Sequence, residues 1–173
     1  MGTSGDARDR LAVLGEQMIE IHEWLRGDLL DLSDQVDAYL AGRTDRPRGL
    51  KAHCLAFCAA VGRHHVGEDT GAFPVLARDF PELRPVLDQL EQDHVLVRGL
   101  LQSLERLLAG IPDEPRDGDA ERIRAELAGL SAILASHFGF EERRIVAALN
   151  SLPSGVGTAE QLFGVAAPDV SSR

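Results

Sequence analysis

Four stretches of this chain return an apolar residue every three or four positions. At six of the inward positions the apolar series is replaced by His or Glu. In the first stretch the stripe is Leu11, Leu14, Met18, Ile21, Leu25, Leu29, Leu32, Val36 and Leu40, with His22 on its edge beside Ile21. That spacing predicts one long amphipathic helix from Asp6 to about Gly42. The second runs from about Pro47 to Asp69: Leu50, Cys54, Phe57 and Val61 hand over in step to His64 and Glu68. Asp45 and Pro47 read as its cap and first turn, and Gly71 with Phe73-Pro74 as its end. A short helical turn is expected over 73–79. The third stretch, about Pro81 to Ala109, is Leu83, Leu87, Leu90, His94, Val97, Leu101, Leu104 and Leu108. The fourth, about Asp119 to Asn150, is Ile123, Leu127, Leu130, Leu134, His137, Glu141 and Ile145. Only a bundle of helices satisfies four such stripes at once, so the expected fold is all-α, an antiparallel up-down-up-down four-helix bundle over residues 1–150. Residues 151–173 are rich in Ser, Gly, Ala and Pro around an apolar Leu162-Phe163 and read as a loosely packed tail.

The polar insertions fall at one level. His22 precedes the first helix end at Ala41 by 19 residues, and His64 follows Pro47 by 17. His94 precedes Ala109 by 15, and His137 follows Asp119 by 18. At about 1.5 Å per residue these agree to a few Å along a bundle axis. His64/Glu68 and His137/Glu141 are each four apart, so each pair shares one helix face.

Buried imidazoles and carboxylates cost several kcal/mol unless paired or bound to a cation. No inward Lys or Arg matches this set, so the natural partner is metal. Imidazole suits iron, zinc, manganese or copper, and carboxylates can bridge two ions. With Glu68 and Glu141 as bridges, His22 and His64 serve one ion, His94 and His137 the other. Coordination positions are left open for a small molecule.

This order, a lone His, His-x-x-x-Glu, a lone His and His-x-x-x-Glu again, resembles the hemerythrin-like family in its HHE cation-binding branch. The likeness covers about Ile21 to Asn150. It implies two iron ions bridged by carboxylates and by an oxo, hydroxo or water bridge, other divalent metals being possible. It also implies dioxygen or peroxide as partner, with nitric oxide or a small organic substrate as further possibilities. The chain departs from the oxygen-carrier pattern, which has a His-x-x-x-His pair on the third helix. Leu90 and Arg98 flank His94 at that spacing. Carriers also place a carboxylate five residues after the last His. That is Glu142 here, whereas helical geometry favours Glu141 as the second bridge.

His65, rotated by about 100° from His64, is a candidate catalytic proton donor, an extra ligand or a boundary histidine. His53 shares the His64 face three turns away and reads as structural. Cys54 and Cys58 read as small core residues, Trp24 as packing or lining, and Arg98 as a reach toward an anionic substrate or an acidic neighbour. The functional expectation is a di-iron oxidoreductase that activates dioxygen or peroxide. The other class is a non-catalytic dioxygen- or iron-binding sensor, for which the 23 residues after Asn150 leave little room for an output module.

The charge balance, 18 Lys+Arg against 28 Asp+Glu for a net −10, argues against nucleic acid or an anionic membrane as partner. Met1 to Arg10 is polar, no apolar run approaches a membrane span, and the two cysteines are four apart on one helix. The expected location is the cytoplasm.

Overall fold

The computed structural model describes residues 13–43, 50–110 and 118–168, the side chain of Ala120 excepted. Leu11, Asp45 and Pro47 lie outside the described residues. Four long helices carry the structure: α1 (Leu14–Leu40), α2 (Leu50–Gly67), α4 (Arg84–Ala109) and α5 (Asp119–Asn150). Between α2 and α4 come a π-helical turn (Glu68–Ala72), the short helix α3 (Phe73–Asp79) and a 3₁₀ turn (Pro81–Leu83). After α5 a loop leads to α6 (Ala159–Phe163). No strand occurs among the described residues, and no helix there is long and apolar enough to cross a membrane.

The long helices pack as a ring, α1 against α2 and α5, and α4 against the same two. The stripes face inward as the spacing predicts. Met18, Ile21, Leu25, Leu32 and Val36 of α1 meet Phe57 and Val61 of α2, Leu90, Val97 and Leu104 of α4, and Leu127, Leu134 and Ile145 of α5 in one core. Each such side chain contributes about 1.5–3 kcal/mol on burial. This apolar packing, present above and below the polar level, is what can hold buried His and Glu in place.

Two helix ends show how local sequence positions the frame. α1 stops at Gly42, whose φ of 68° is left-handed, with the Arg43 N–H donating to the Ala38 carbonyl over 3.0 Å. At its start, the Gly15 N–H donates to the Asn150 side-chain carbonyl (2.8 Å), so the last residue of α5 satisfies one of the free amides of α1.

The expected stop at Gly71 and Phe73-Pro74 is overturned. The helical path continues from α2 through the π turn into α3, the Phe73 N–H donating to the Glu68 carbonyl. Pro74 has no N–H, and its ring would crowd the carbonyl four residues back in a regular helix. The wider π turn just before it gives that ring room. The tail also differs from its expectation. Thr158 caps α6 through a reciprocal pair with Gln161 (Gln161 N–H to Thr158 Oγ1 3.3 Å; Thr158 N–H to Gln161 Oε1 3.0 Å). Ala159, Leu162 and Phe163 are buried against α2 and the π turn.

Candidate metal centre

Each long helix delivers its polar residues to the middle of the core. His22, His64, Glu68, His94, His137 and Glu141 are all buried, as is His65. They form two groups. Nitrogen and oxygen atoms of His22, His64, Glu68 and Glu141 lie within 4.8 Å of one another, and so do ring nitrogens of His65, His94 and His137. Glu68 reaches between them, with Oε1 3.2 Å from His64 Nε2 and Oε2 3.5 Å from His94 Nε2. Glu141 Oε2 lies 3.4 Å from His22 Nε2 and 3.8 Å from His137 Nε2.

The outer ring nitrogens determine what the inner ones offer. His64 Nδ1 is 3.0 Å from the Phe163 carbonyl, which can only accept, so this nitrogen carries the proton. His22 Nδ1 donates to Glu142 Oε1 (2.9 Å), which Arg26 also holds at 2.9 Å. His94 Nδ1 donates to Asp69 Oδ1 (2.6 Å). His137 Nδ1 faces Asp93 Oδ2 at 3.6 Å. For neutral His22, His64 and His94 the inner Nε2 is therefore a bare lone pair. His22 Nε2 and His64 Nε2 stand 3.0 Å apart. Two bare lone pairs at that distance repel unless a cation lies between them.

The remaining inner atoms complete the pattern. Both oxygens of Glu68 and of Glu141, and Nε2 of His65, His94 and His137, are buried without a hydrogen-bond partner. Such atoms normally find one. Burial pushes the Glu68 carboxyl well above its ordinary range, the neighbouring Glu141 charge adding to it. Burial pushes Glu141 up to about 8. Burial likewise lowers His22, and drives His64 and His65 well below the ordinary imidazole range. His137 falls to about 4 through burial and the adjacent His94. Neutral imidazoles at His22, His64, His65 and His137 around protonated carboxyls are what this site becomes without a cation. With one, the donors are chemically suited to a divalent ion of the iron, zinc or manganese type.

Of the two carboxylates weighed for the second bridge, Glu141 enters the group and Glu142 stands outside it. Burial opposes ionisation of Glu142, yet His22 and Arg26 hold its carboxyl below the ordinary value. His65 lies inside, its ring stacked on His94 with centroids 3.9 Å apart and planes 6° from parallel. Phe138 stacks on His22 (4.2 Å) and Phe73 on His94 (5.5 Å), closing the site with aromatic faces. His53 stays apart, bonded to Asp28 (2.8 Å) and Gln35 (3.3 Å). Trp24 packs at the margin of the core. Cys54 and Cys58 are buried free thiols. Arg98 lines a cavity of about 220 Å³ with Cys58, His65, His94 and Glu105. A cleft of about 360 Å³ between α4 and α5, lined by Asp93, Leu96, Ile133, Phe140 and Arg143 among others, ends on His137.

Asp69, Asp93, Phe138 and the Phe163 carbonyl were not anticipated. For the two acids there was a signal: an acidic residue adjoins a ligand candidate in Glu68-Asp69, Asp93-His94 and Glu141-Glu142. The acid never serves its neighbour. Asp69 of the π turn orients His94 of α4, Asp93 of α4 faces His137 of α5, and Glu142 of α5 orients His22 of α1.

The family model for the hemerythrin HHE cation binding domain matches residues 14–149. No curated protein and no solved structure matches the chain.

Proposed function

The chain belongs to the hemerythrin HHE cation-binding domain family, and from that premise we propose that it is a di-iron oxidoreductase acting on dioxygen or peroxide. The observation that carries the reading is the 3.0 Å approach of His22 Nε2 and His64 Nε2, each left without a proton by an acceptor on its far side. His22 and His64 would hold one ion, His94 and His137 the other, with Glu68 and Glu141 between. The up-down-up-down order of the four helices is part of the reading, supported by the Gly15–Asn150 bond that joins the start of α1 to the end of α5. Iron is preferred over other divalent metals for its redox chemistry, and the two free buried thiols support a reducing, cytoplasmic location.

When bound, the metal pair supplies redox and Lewis-acid chemistry for dioxygen or peroxide that none of these side chains provides. The protein's own part is orientation, access and protons. Glu142, the Phe163 carbonyl and Asp69 fix three rings so that Nε2 points inward. Phe138 stacks over His22 and the Phe163 backbone carbonyl covers the outer edge of His64, closing that side. The cavities instead open on His137, His65 and His94, so a small molecule would approach that group. His65, a candidate proton donor or extra ligand, has a ring nitrogen within 4.8 Å of those of His94 and His137. That position favours a third nitrogen ligand there, in place of the histidine missing one turn from His94.

Purified protein should carry close to two iron per chain, and His64→Ala or Glu68→Ala should abolish this. Full metal retention in both variants would sink the assignment. A sensing role is the second reading, favoured by the near-complete burial of the candidate ligands. Reduced protein exposed to oxygen and to peroxide separates the two: rapid consumption of peroxide or oxidation of an added donor supports catalysis, and a stable reversible adduct supports binding.

A further inference from the structure

The segment 158–165 lies beyond the stretch matched by the family model, yet one of its backbone groups touches the centre. The Phe163 carbonyl accepts the hydrogen bond from His64 Nδ1. Glu142, Asp69 and Asp93 face the rings of His22, His94 and His137 from within the bundle and its connection, so of these four rings His64 alone takes its outer partner from this segment. The docking depends on three glycines. A Cβ on Gly67 would collide with the backbone of Gly164, and one on Gly71 with the Gln161 carbonyl. Gly164 has a φ of 72°, and a Cβ there would run into the Arg63 carbonyl. The Thr158–Gln161 cap shapes the segment, and the buried Leu162 and Phe163 side chains anchor it.

We infer that this segment is a working part of the metal centre, an inference that rests on the two-metal reading above. The Phe163 backbone carbonyl is a positioning group: it holds His64 as the Nδ1–H tautomer and so keeps Nε2 free for the ion. A carboxylate at this place could exchange roles with a protonated ring. A carbonyl has no proton to give and permits one tautomer only. The glycine contacts bring backbone to backbone closely enough for that bond to form.

The test uses the full-length chain with Gly164→Ala, which lies outside the bundle, and Gly67→Ala, which breaks the same contact from the α2 side. Gly129→Ala, with open space around it, is the control. In metal-free, ¹⁵N-histidine-labelled protein, NMR should find wild-type and control His64 protonated at Nδ1, and both contact variants shifted toward Nε2–H. Anaerobic titration with Fe(II) alone should then show one of two sites weakened 10–100-fold, the usual effect of losing an orienting partner. Wild-type His64 protonated at Nε2 would overturn the inference. So would contact variants with the wild-type tautomer and affinity, or a changed tautomer with unchanged affinity. A wild-type chain that binds no Fe(II) would refute the two-metal reading itself.

Discussion

Replacing Asp69 by Asn tests whether the crossed acid contacts govern metal affinity. Asp69 Oδ1 lies 2.6 Å from His94 Nδ1, and its side chain is 25% exposed. A hydrogen bond to a charged group contributes about 1.5–3 kcal/mol, and partial exposure favours the lower end. Asn keeps the shape and offers a weaker, uncharged acceptor. Loss of a carboxylate behind a ligating imidazole typically lowers metal affinity 10–100-fold, which is about 1.4–2.8 kcal/mol at 1.4 kcal/mol per decade. The two estimates agree. The loss should fall on one ion only, because Asp69 faces His94 whereas Glu142 serves His22. Competition with a chromophoric chelator should resolve one site weakened 10–100-fold and one unchanged. Glu142→Gln should weaken the other site. Wild-type affinity at both sites in Asp69→Asn, or equal weakening of both, would refute the reasoning.

Glu68→Gln should stabilise the metal-free chain, because a buried carboxyl without a partner is destabilising. A gain of about 1–2 kcal/mol corresponds to roughly 2–8 °C in a chain of this size, and the rise in melting temperature on adding metal should vanish. The metal-free chain should be most stable near pH 6.5, because below it the three lowered imidazoles outweigh the two raised carboxyls and above it only the carboxyls titrate. The folded-state pKa values of His64, His65 and His137 lie below 6.5, so their contribution is lost as pH falls below that value. Glu141 is raised from 4.5 to about 8 and Glu68 moves the same way, so theirs is lost as pH rises toward 8. Melts in chelator across pH 4–8.5 check this, and a melting temperature that climbs steadily from pH 5 to 8 would contradict it. Phe138→Ala should cost about 3–5 kcal/mol in denaturant unfolding, as for a fully buried aromatic, and should let water reach His22.

The fold was largely legible because burial imposes a period. Nearly every stripe residue from Met18 to Ile145 is inward, and α5 begins and ends at the expected residues. The meeting of the six candidate ligands was legible for the same reason: several His and Glu at inward positions of four helices are costly to bury unless they share a partner. What could not be read was direction and exception. Period alone cannot say which nitrogen of a ring faces inward, since that depends on an acceptor elsewhere in the chain. It cannot foresee a π turn, so Gly71 and Phe73-Pro74 looked like a stop when they continue the helix. It misjudged residues 158–165, because Gly and Ser read as loose chain where they in fact permit close backbone contact.

The crossed contacts bear on how the site holds together. If each acid oriented the ligand beside it, one helix could present a finished half-site without its neighbours. Here the π turn orients a ring of α4, α5 orients one of α1, and α6 orients one of α2. A slip of one helix by one residue, about 1.5 Å along its axis, would misplace its own ligand and also release a ring on a neighbour. Metal affinity should therefore report the register of the whole bundle. Core substitutions far from the centre, such as Leu104→Ala in α4, should weaken metal binding in proportion to any shift of α4 they cause, even where the ligand set is untouched. Chelator competition on such variants, compared with their unfolding free energies, checks this. Affinity that stays constant while α4 demonstrably moves would refute it.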